Sequence, residues 1–243
     1  MTDFQRLHDL PLDLARRVKF GAAILGMPGQ RRHLFRWLRS AGPEYLLEEP
    51  SPWMTFDAIQ VLDDHLRPGM RVFEYGSGGS TLFWVKKEAN VVSVEHDPLW
   101  FGSVRDRLAS SSAVDYRLVE PEAGVLTSDG APGDPLAYAS DDERFRGSNF
   151  KRYVSQIDQF PEASFDLVSI DGRARPSCIM HAAPKVKPGG ILVLDNAERP
   201  YYLERTRRFI AAFEERVYPG VLPSTRHVSQ TNIYRRLPPR EDR

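Results

Sequence analysis

From Arg71 to Asp195 short apolar runs alternate with helical segments, and no other feature restricts the fold of this chain so strongly. Arg71 to Tyr75, Asn90 to Glu95, Ala113 to Val119, Phe165 to Asp171 and Gly190 to Asp195 read as strands. Ser80 to Lys87, Pro98 to Leu108 and Pro176 to Val186 read as the helices between them. A strand that returns through a helix pairs in parallel, because only a long crossover brings the chain back to the same end of the sheet. The expected class is therefore α/β, a mostly parallel sheet with helices on both faces. Ligands of such sheets bind beyond the carboxyl ends of the strands.

Ahead of this region, a helix is expected to start at Thr55 and to turn Ile59, Leu62 and Leu66 inward until Pro68-Gly69 stops it. Residues 1–56 are read as a helical extension that packs on the rest or covers a substrate, and residues 57–243 as the main domain. From Leu14 to Ser40 there are seven lysines or arginines and no acid, with Leu34, Trp37 and Leu38 at helical spacing. This segment has two readings: a helix packed on the domain, or a basic amphipathic helix that touches anionic lipid or an anionic substrate. The apolar stretch Phe20 to Met27 falls far short of the ~20 residues that span a bilayer. Pro28-Gly29-Gln30-Arg31-Arg32 follows it where a signal peptide would carry small residues. No transmembrane segment is expected.

The net charge of +0 argues against a protein built to coat nucleic acid, though it leaves room for a local basic patch. A lone cysteine, Cys178, rules out an internal disulfide and a cysteine zinc cluster, and fits a reducing cytoplasm. Between the third and fourth strands lies a long segment, Glu120 to Ser164. Its middle, Ser128 to Ser148, is rich in Gly, Pro, Asp and Ser, the composition of a lid or binding loop. Phe150 to Ile157 is expected to be a helix near the site.

The first strand runs into Glu74-Tyr75-Gly76-Ser77-Gly78-Gly79-Ser80-Thr81. Glycines there let the backbone turn sharply toward a ligand, and the next helix presents its N-terminus to it. Glu74 can attract a cationic amine. Glu95, at the end of the second strand, can accept from both hydroxyls of a ribose. A nicotinamide dinucleotide would require a third glycine where this chain has Thr81, and would leave Glu74 without a role.

In this order of strand, acid, glycine turn, helix, strand and terminal acid, Val72 to Thr81 resembles the first motif of class I S-adenosylmethionine-dependent methyltransferases. Val92-Ser93-Val94-Glu95-His96-Asp97 resembles the second. The resemblance covers Arg71 to Asn196. It implies a Rossmann-like methyltransferase fold with a seven-stranded sheet, and S-adenosylmethionine as cofactor. The methionine part would lie on Glu74, Gly76, Ser77, Gly78, Gly79 and Ser80, the ribose on Glu95, and the adenine beside His96. Arg226 to Arg236 fits the antiparallel strand that closes such a sheet.

Two further strand ends, Asp171-Gly172-Arg173 and Asp195-Asn196, point at the same rim. Asp171, Asp195 and Asn196 are hard oxygen donors of the kind Mg²⁺ or another divalent cation takes. The trio resembles the metal site of cation-dependent O-methyltransferases of the catechol and caffeoyl-CoA type. That family places a lysine shortly after the first aspartate; here Arg173 and Arg175 follow, poor bases but good clamps for a carboxylate or phosphate. The alternative for Asp195-Asn196 is a turn that caps the next helix. Asp171, Arg173 and His227 are the candidate catalytic groups. His181, Trp53 and Cys178 are read as packing residues.

The reading favoured is methyl transfer to a hydroxyl of a small molecule or glycan. Nucleic-acid methylation is disfavoured, because Ile170-Asp171-Gly172 stands where an Asn/Asp-Pro-Pro-aromatic motif would hold a base amine. A third reading is a catalytically silent cofactor-binding partner protein.

Overall fold

A computed structural model describes residues 3–42, 45–108, 113–124 and 130–239, with side chains from residue 14 onward. Seven strands form one sheet: β1 (Arg71–Tyr75), β2 (Asn90–Glu95), β3 (Val114–Leu118), β4 (Phe165–Ile170), β5 (Val186–Leu194), β6 (Phe213–Val221) and β7 (Val228–Arg236). Their order across the sheet is β3-β2-β1-β4-β5-β7-β6. The pairs from β3 to β5 are parallel, and β7 alone runs against its neighbours. This is the Rossmann-like architecture expected, with its antiparallel strand near the C-terminus. The order reverses between β1 and β4, and the crevice beyond their carboxyl ends is where such sheets take ligands.

The helices used below are α1 (Asp3–Gly26), α2 (Leu34–Arg39), α3 (Phe56–His65), α4 (Gly79–Lys86), α5 (Pro98–Leu108) and α6 (Arg175–Ala182). Side chains alternate across each strand, so neighbouring residues feed opposite cores. Val72, Leu167 and Ile191 join one core with Ile59, Leu62 and Trp84. Phe73, Val168 and Leu192 join the other with Tyr153, Ile179 and Tyr202. Trp37 and Ile24 are buried in the first core, so the segment before residue 57 shares its apolar interior with the sheet. Trp37 Nε1 donates to the Thr225 carbonyl at 2.6 Å, and Gln30 Oε1 accepts from Val221 N at 3.0 Å.

Several boundaries differ from the sequence reading. Thr55 precedes α3, but its hydroxyl donates to the Tyr218 carbonyl at 3.0 Å and leaves the helix end uncapped. The expected helix Phe150–Ile157 is an α-helical turn, Lys151–Val154, followed by a 3-10 turn, Ser155–Gln159. β5 begins at Val186 and passes through Gly189 at φ +82°, so Pro188-Gly189 lies inside the strand. β6 was not anticipated. Of the glycine- and proline-rich middle segment, Ser128 and Asp129 lie outside the described residues; residues 130–148 fold as turns with a 3-10 turn at Glu143–Phe145. Glu122–Ala123 and Ser148–Asn149 close that segment as a two-stranded ribbon.

Candidate active site

The glycine turn lies at the switch point between β1 and β4. Gly76 takes φ +86°, and a Cβ there would stand 2.7 Å from Gly172 N and Cα at the end of β4. Only glycine allows this conformation and this approach together. On the other side of the turn, a Cβ on Gly79 would stand 2.3 Å from the Leu46 carbonyl oxygen and 2.4 Å from that of Ser51. The extension therefore packs directly on the turn.

Glu74 lies beneath this turn, fully buried. Its Oε2 accepts from Thr81 Oγ1 and Ser93 Oγ, each at 2.6 Å, and its Oε1 from Trp84 Nε1 at 2.8 Å. Burial pushes its pKa up, and these donors together with Ser80 pull it back. Thr81 Oγ1 also accepts from Gly78 N at 3.0 Å, so one hydroxyl ties the turn to the acid below it. The sequence reading aimed Glu74 at a cationic amine; the structure turns it inward as a brace. Thr81, Ser93 and Trp84 were not singled out, because nothing in their spacing shows that three donors converge on one carboxylate.

Glu95 ends β2 at the rim. Its Oε2 accepts from Ser77 N and Ser77 Oγ, both at 2.9 Å, and its Oε1 from His96 N at 2.7 Å and Asp97 N at 2.8 Å. Burial raises its pKa, but these bonds and the neighbouring His96 outweigh it and hold the carboxyl below the usual range. Glu95 is thus an ionised acceptor next to the turn. Ser77 Oγ also lies 2.6 Å from Tyr116 OH, and Trp100 Nε1 donates to the Ser77 carbonyl at 2.7 Å. Tyr116 and Trp100 are further site residues that the sequence did not reveal. The His96 ring packs on Phe145, Phe150 and Tyr153, at centroid distances of 5.1, 5.8 and 6.0 Å. Its Nδ1 stands 2.8 Å from Glu95 Oε1, off the line of a hydrogen bond.

Asp171 and Asp195 follow the ends of β4 and β5, and Arg175 ties the Asp171 carboxylate to the Asp195 main chain. Arg175 is buried; its Nη2 donates to Asp171 Oδ1 at 2.9 Å and to the Asp171 carbonyl at 3.1 Å. Its Nε donates to the Gly172 carbonyl at 3.0 Å, and its Nη1 to the Asp195 carbonyl. Burial raises the Asp171 pKa to about 6, against the pull of Arg175. Burial and the facing Asp171 raise that of Asp195 to about 8. Asp195 Oδ1 accepts from Thr231 Oγ1 at 2.7 Å, and Asn196 Nδ2 donates to Ser229 Oγ at 3.0 Å.

These residues do not fit a divalent cation. The fixed Arg175 guanidinium already holds the Asp171 carboxylate and the Asp195 main-chain carbonyl, and would repel a second positive charge. Asp195 and Asn196 are each engaged by β7; Asn196, at φ +50°, lies in a turn, but neither residue caps the helical turn Tyr201–Glu204, whose N-cap is Pro200. Among the described residues no three His, Cys, Asp or Glu side chains converge as a metal site would. The metal set Asp171, Asp195 and Asn196 is accordingly corrected: Arg175 holds the Asp171 carboxylate and the Asp195 main-chain carbonyl, and β7 takes the Asp195 and Asn196 side chains.

Arg173 reaches over the rim from the other side. Its Nη2 stands 2.9 Å from Asp142 Oδ2 of the long segment, and its guanidinium lies 5.6 Å from the Phe145 ring centroid. The structure thus brings together Glu95, His96, Asp171 and Arg173. It does not bring in His227, which is exposed in the turn before β7; Thr231 and Ser229 are the residues of that strand that reach the site. Trp53 is anchored through Nε1 on the Pro223 carbonyl at 3.0 Å, and His181 pairs with Asp158 at 2.9 Å. Cys178 is buried, and burial pushes its thiol pKa well up.

No family model matches the chain. A curated relative, protein-L-isoaspartate O-methyltransferase 1 of Arabidopsis thaliana, is 34% identical over 88 residues, or 34% of this chain and 38% of the relative. The matched stretch is thus well under two thirds of that protein's length. Among solved structures, precorrin-6y C5,15-methyltransferase of Geobacter metallireducens aligns at 16% identity and a TM-score of 0.47, over 73% of this chain and 85% of its own. An S-adenosylmethionine-dependent O-methyltransferase of Thermotoga maritima aligns at 12% identity and a TM-score of 0.48, over 76% of this chain and 66% of its own. A methyltransferase-like protein of Silicibacter pomeroyi aligns at 20% identity and a TM-score of 0.47, over 78% and 92%.

Proposed function

We propose that this chain is an S-adenosylmethionine-dependent methyltransferase that methylates an oxygen of a small molecule or glycan. The observation that carries the reading is the placement of the glycine turn at the β1/β4 switch point, flanked by the ionised Glu95 and by Asp171. A match to a curated O-methyltransferase, confined to 88 residues, supports it. Glu95 and the first amides of α4 would hold the ribose and the amino-acid part, with His96 and its aromatic neighbours beside the adenine. The bound cofactor supplies an electrophilic methyl group on a sulfonium.

The chain's own residues then have one task, to deliver an electron-rich oxygen. Asp171 is the base: its Oδ1 is held by Arg175, no described donor sits on Oδ2, and its raised pKa leaves it able to take a hydroxyl proton near neutrality. Arg175 fixes its direction. Arg173, at the mouth, orients an anionic group of the acceptor, in competition with Asp142.

Calorimetry tests the cofactor assignment. S-adenosylmethionine should bind the wild type, and Glu95→Ala should weaken it by about tenfold or more, since hydrogen bonds to a charged group contribute roughly 1.5–3 kcal/mol. Tighter binding of a nicotinamide dinucleotide would refute the reading. Turnover of bound cofactor across a panel of hydroxylated acceptors separates an enzyme from a silent partner protein.

A further inference from the structure

The N-terminal helices present a surface that the proposed chemistry does not use. α1 and α2 form an antiparallel hairpin: Gly21 sits against Leu34 and Trp37, and Arg17 donates to the Ala41 carbonyl at 3.2 Å. Phe20, Ile24 and Met27 turn inward to the core. Leu14, Val18 and Leu25 follow at intervals of four and seven and occupy another side of α1, each more than half exposed. Phe35 and Leu38, three apart on α2, are also more than half exposed. Neither apolar stripe is covered by packing among the described residues.

Charge identifies what can cover them. All seven ionised side chains between Leu14 and Ser40 are cations. Arg32 pairs with Asp57 and Arg39 with Glu49, but Arg16, Lys19 and Arg31 have no ion-pair partner among the described residues. A cleft of about 660 Å³ opens along α2, where Arg32, Arg36, Arg39 and Lys86 outnumber Glu48 and Glu49. A second copy of the chain would set like charge against like charge. A nucleic acid would satisfy the cations and leave the leucines, valine and phenylalanine in water. An anionic bilayer surface satisfies both: apolar side chains enter the acyl boundary while the cations meet the headgroups. We infer that the α1–α2 hairpin is a docking surface for anionic lipid, so that the enzyme works at a membrane face without spanning it.

Cosedimentation of the full chain with vesicles tests this. The protein should bind phosphatidylcholine vesicles that contain phosphatidylglycerol, ignore vesicles of phosphatidylcholine alone, and release as salt rises. Two double variants separate the contributions: Arg16→Glu with Lys19→Glu, and Val18→Gln with Leu38→Gln. All four positions are exposed, so thermal melting should match the wild type, and each double variant should lower partitioning about tenfold or more. Equal behaviour toward the two vesicle types would overturn the inference, as would wild-type partitioning by either variant. A dimer in light scattering that the apolar variant dissolves would reassign the surface to self-association. Tighter binding to a short RNA duplex than to the anionic vesicles, unchanged in the apolar variant, would reassign it to nucleic acid.

Discussion

Arg175 decides more of the chemistry than any other single residue. It supplies a positive charge beside Asp171 that needs no loading and cannot dissociate. Methyl transfer should therefore continue at an unchanged rate after EDTA treatment and exhaustive dialysis, and a rate restored only by added Mg²⁺ would show that the guanidinium is not sufficient. The pKa of Asp171, near 6, sets a second expectation. In the proposed role the carboxylate form of Asp171 is the base, so kcat should rise with pH through about 6 and then level off, and Asp171→Asn should remove that rise. The sequence disclosed the acids and their strand ends, because the 3.6-to-2 switch in periodicity locates each strand terminus. It could not disclose which way Arg175 points. It also could not show that Thr81, Ser93 and Trp84 bond to Glu74, since those contacts exist only once β2 and α4 are packed.

Among the elements, the segment from residue 130 to 148 reaches the rim through Asp142 and Phe145. Asp142 is held by Arg144, through Nε at 3.1 Å and Nη2 at 2.7 Å, and by Arg173 across the rim. Phe145 then packs on Phe150 at 5.5 Å and on His96. The Asp142–Arg173 contact joins the segment to the site, so Asp142→Asn should loosen it. Trypsin should cut after Arg144 and Arg146 faster in the variant, and S-adenosylhomocysteine should slow cleavage of the wild type; equal rates with and without ligand would make the segment a passive surface loop. β6 escaped the sequence reading for a reason visible in its composition. It carries Glu214, Glu215 and Arg216, with Pro219-Gly220 just before its last residue, features that sheet-edge strands use and that mask an alternating apolar signal.

On the scale of the whole molecule, the extension and the sheet cannot be parted without opening a core. Ile24 and Trp37 are buried in the same core as residues of β1, β4 and β5, and Gln30 bridges Asp57 and the end of β6. A chain lacking residues 1–41 should therefore lose its cooperative thermal transition and bind an exposed-surface dye; retention of a sharp transition would mean that the hairpin is an appendage. The same contacts bear on how the protein is made. Trp37 finds its carbonyl partner 188 residues later, and Gln30 its amide partner 191 residues later. At roughly 5–20 residues per second of translation, the hairpin waits on the order of 10–40 seconds for those partners to leave the ribosome. Throughout that interval the hairpin lacks the two bonds that tie it to the end of β6 and the turn before β7, so its docking is completed only when the last strands arrive.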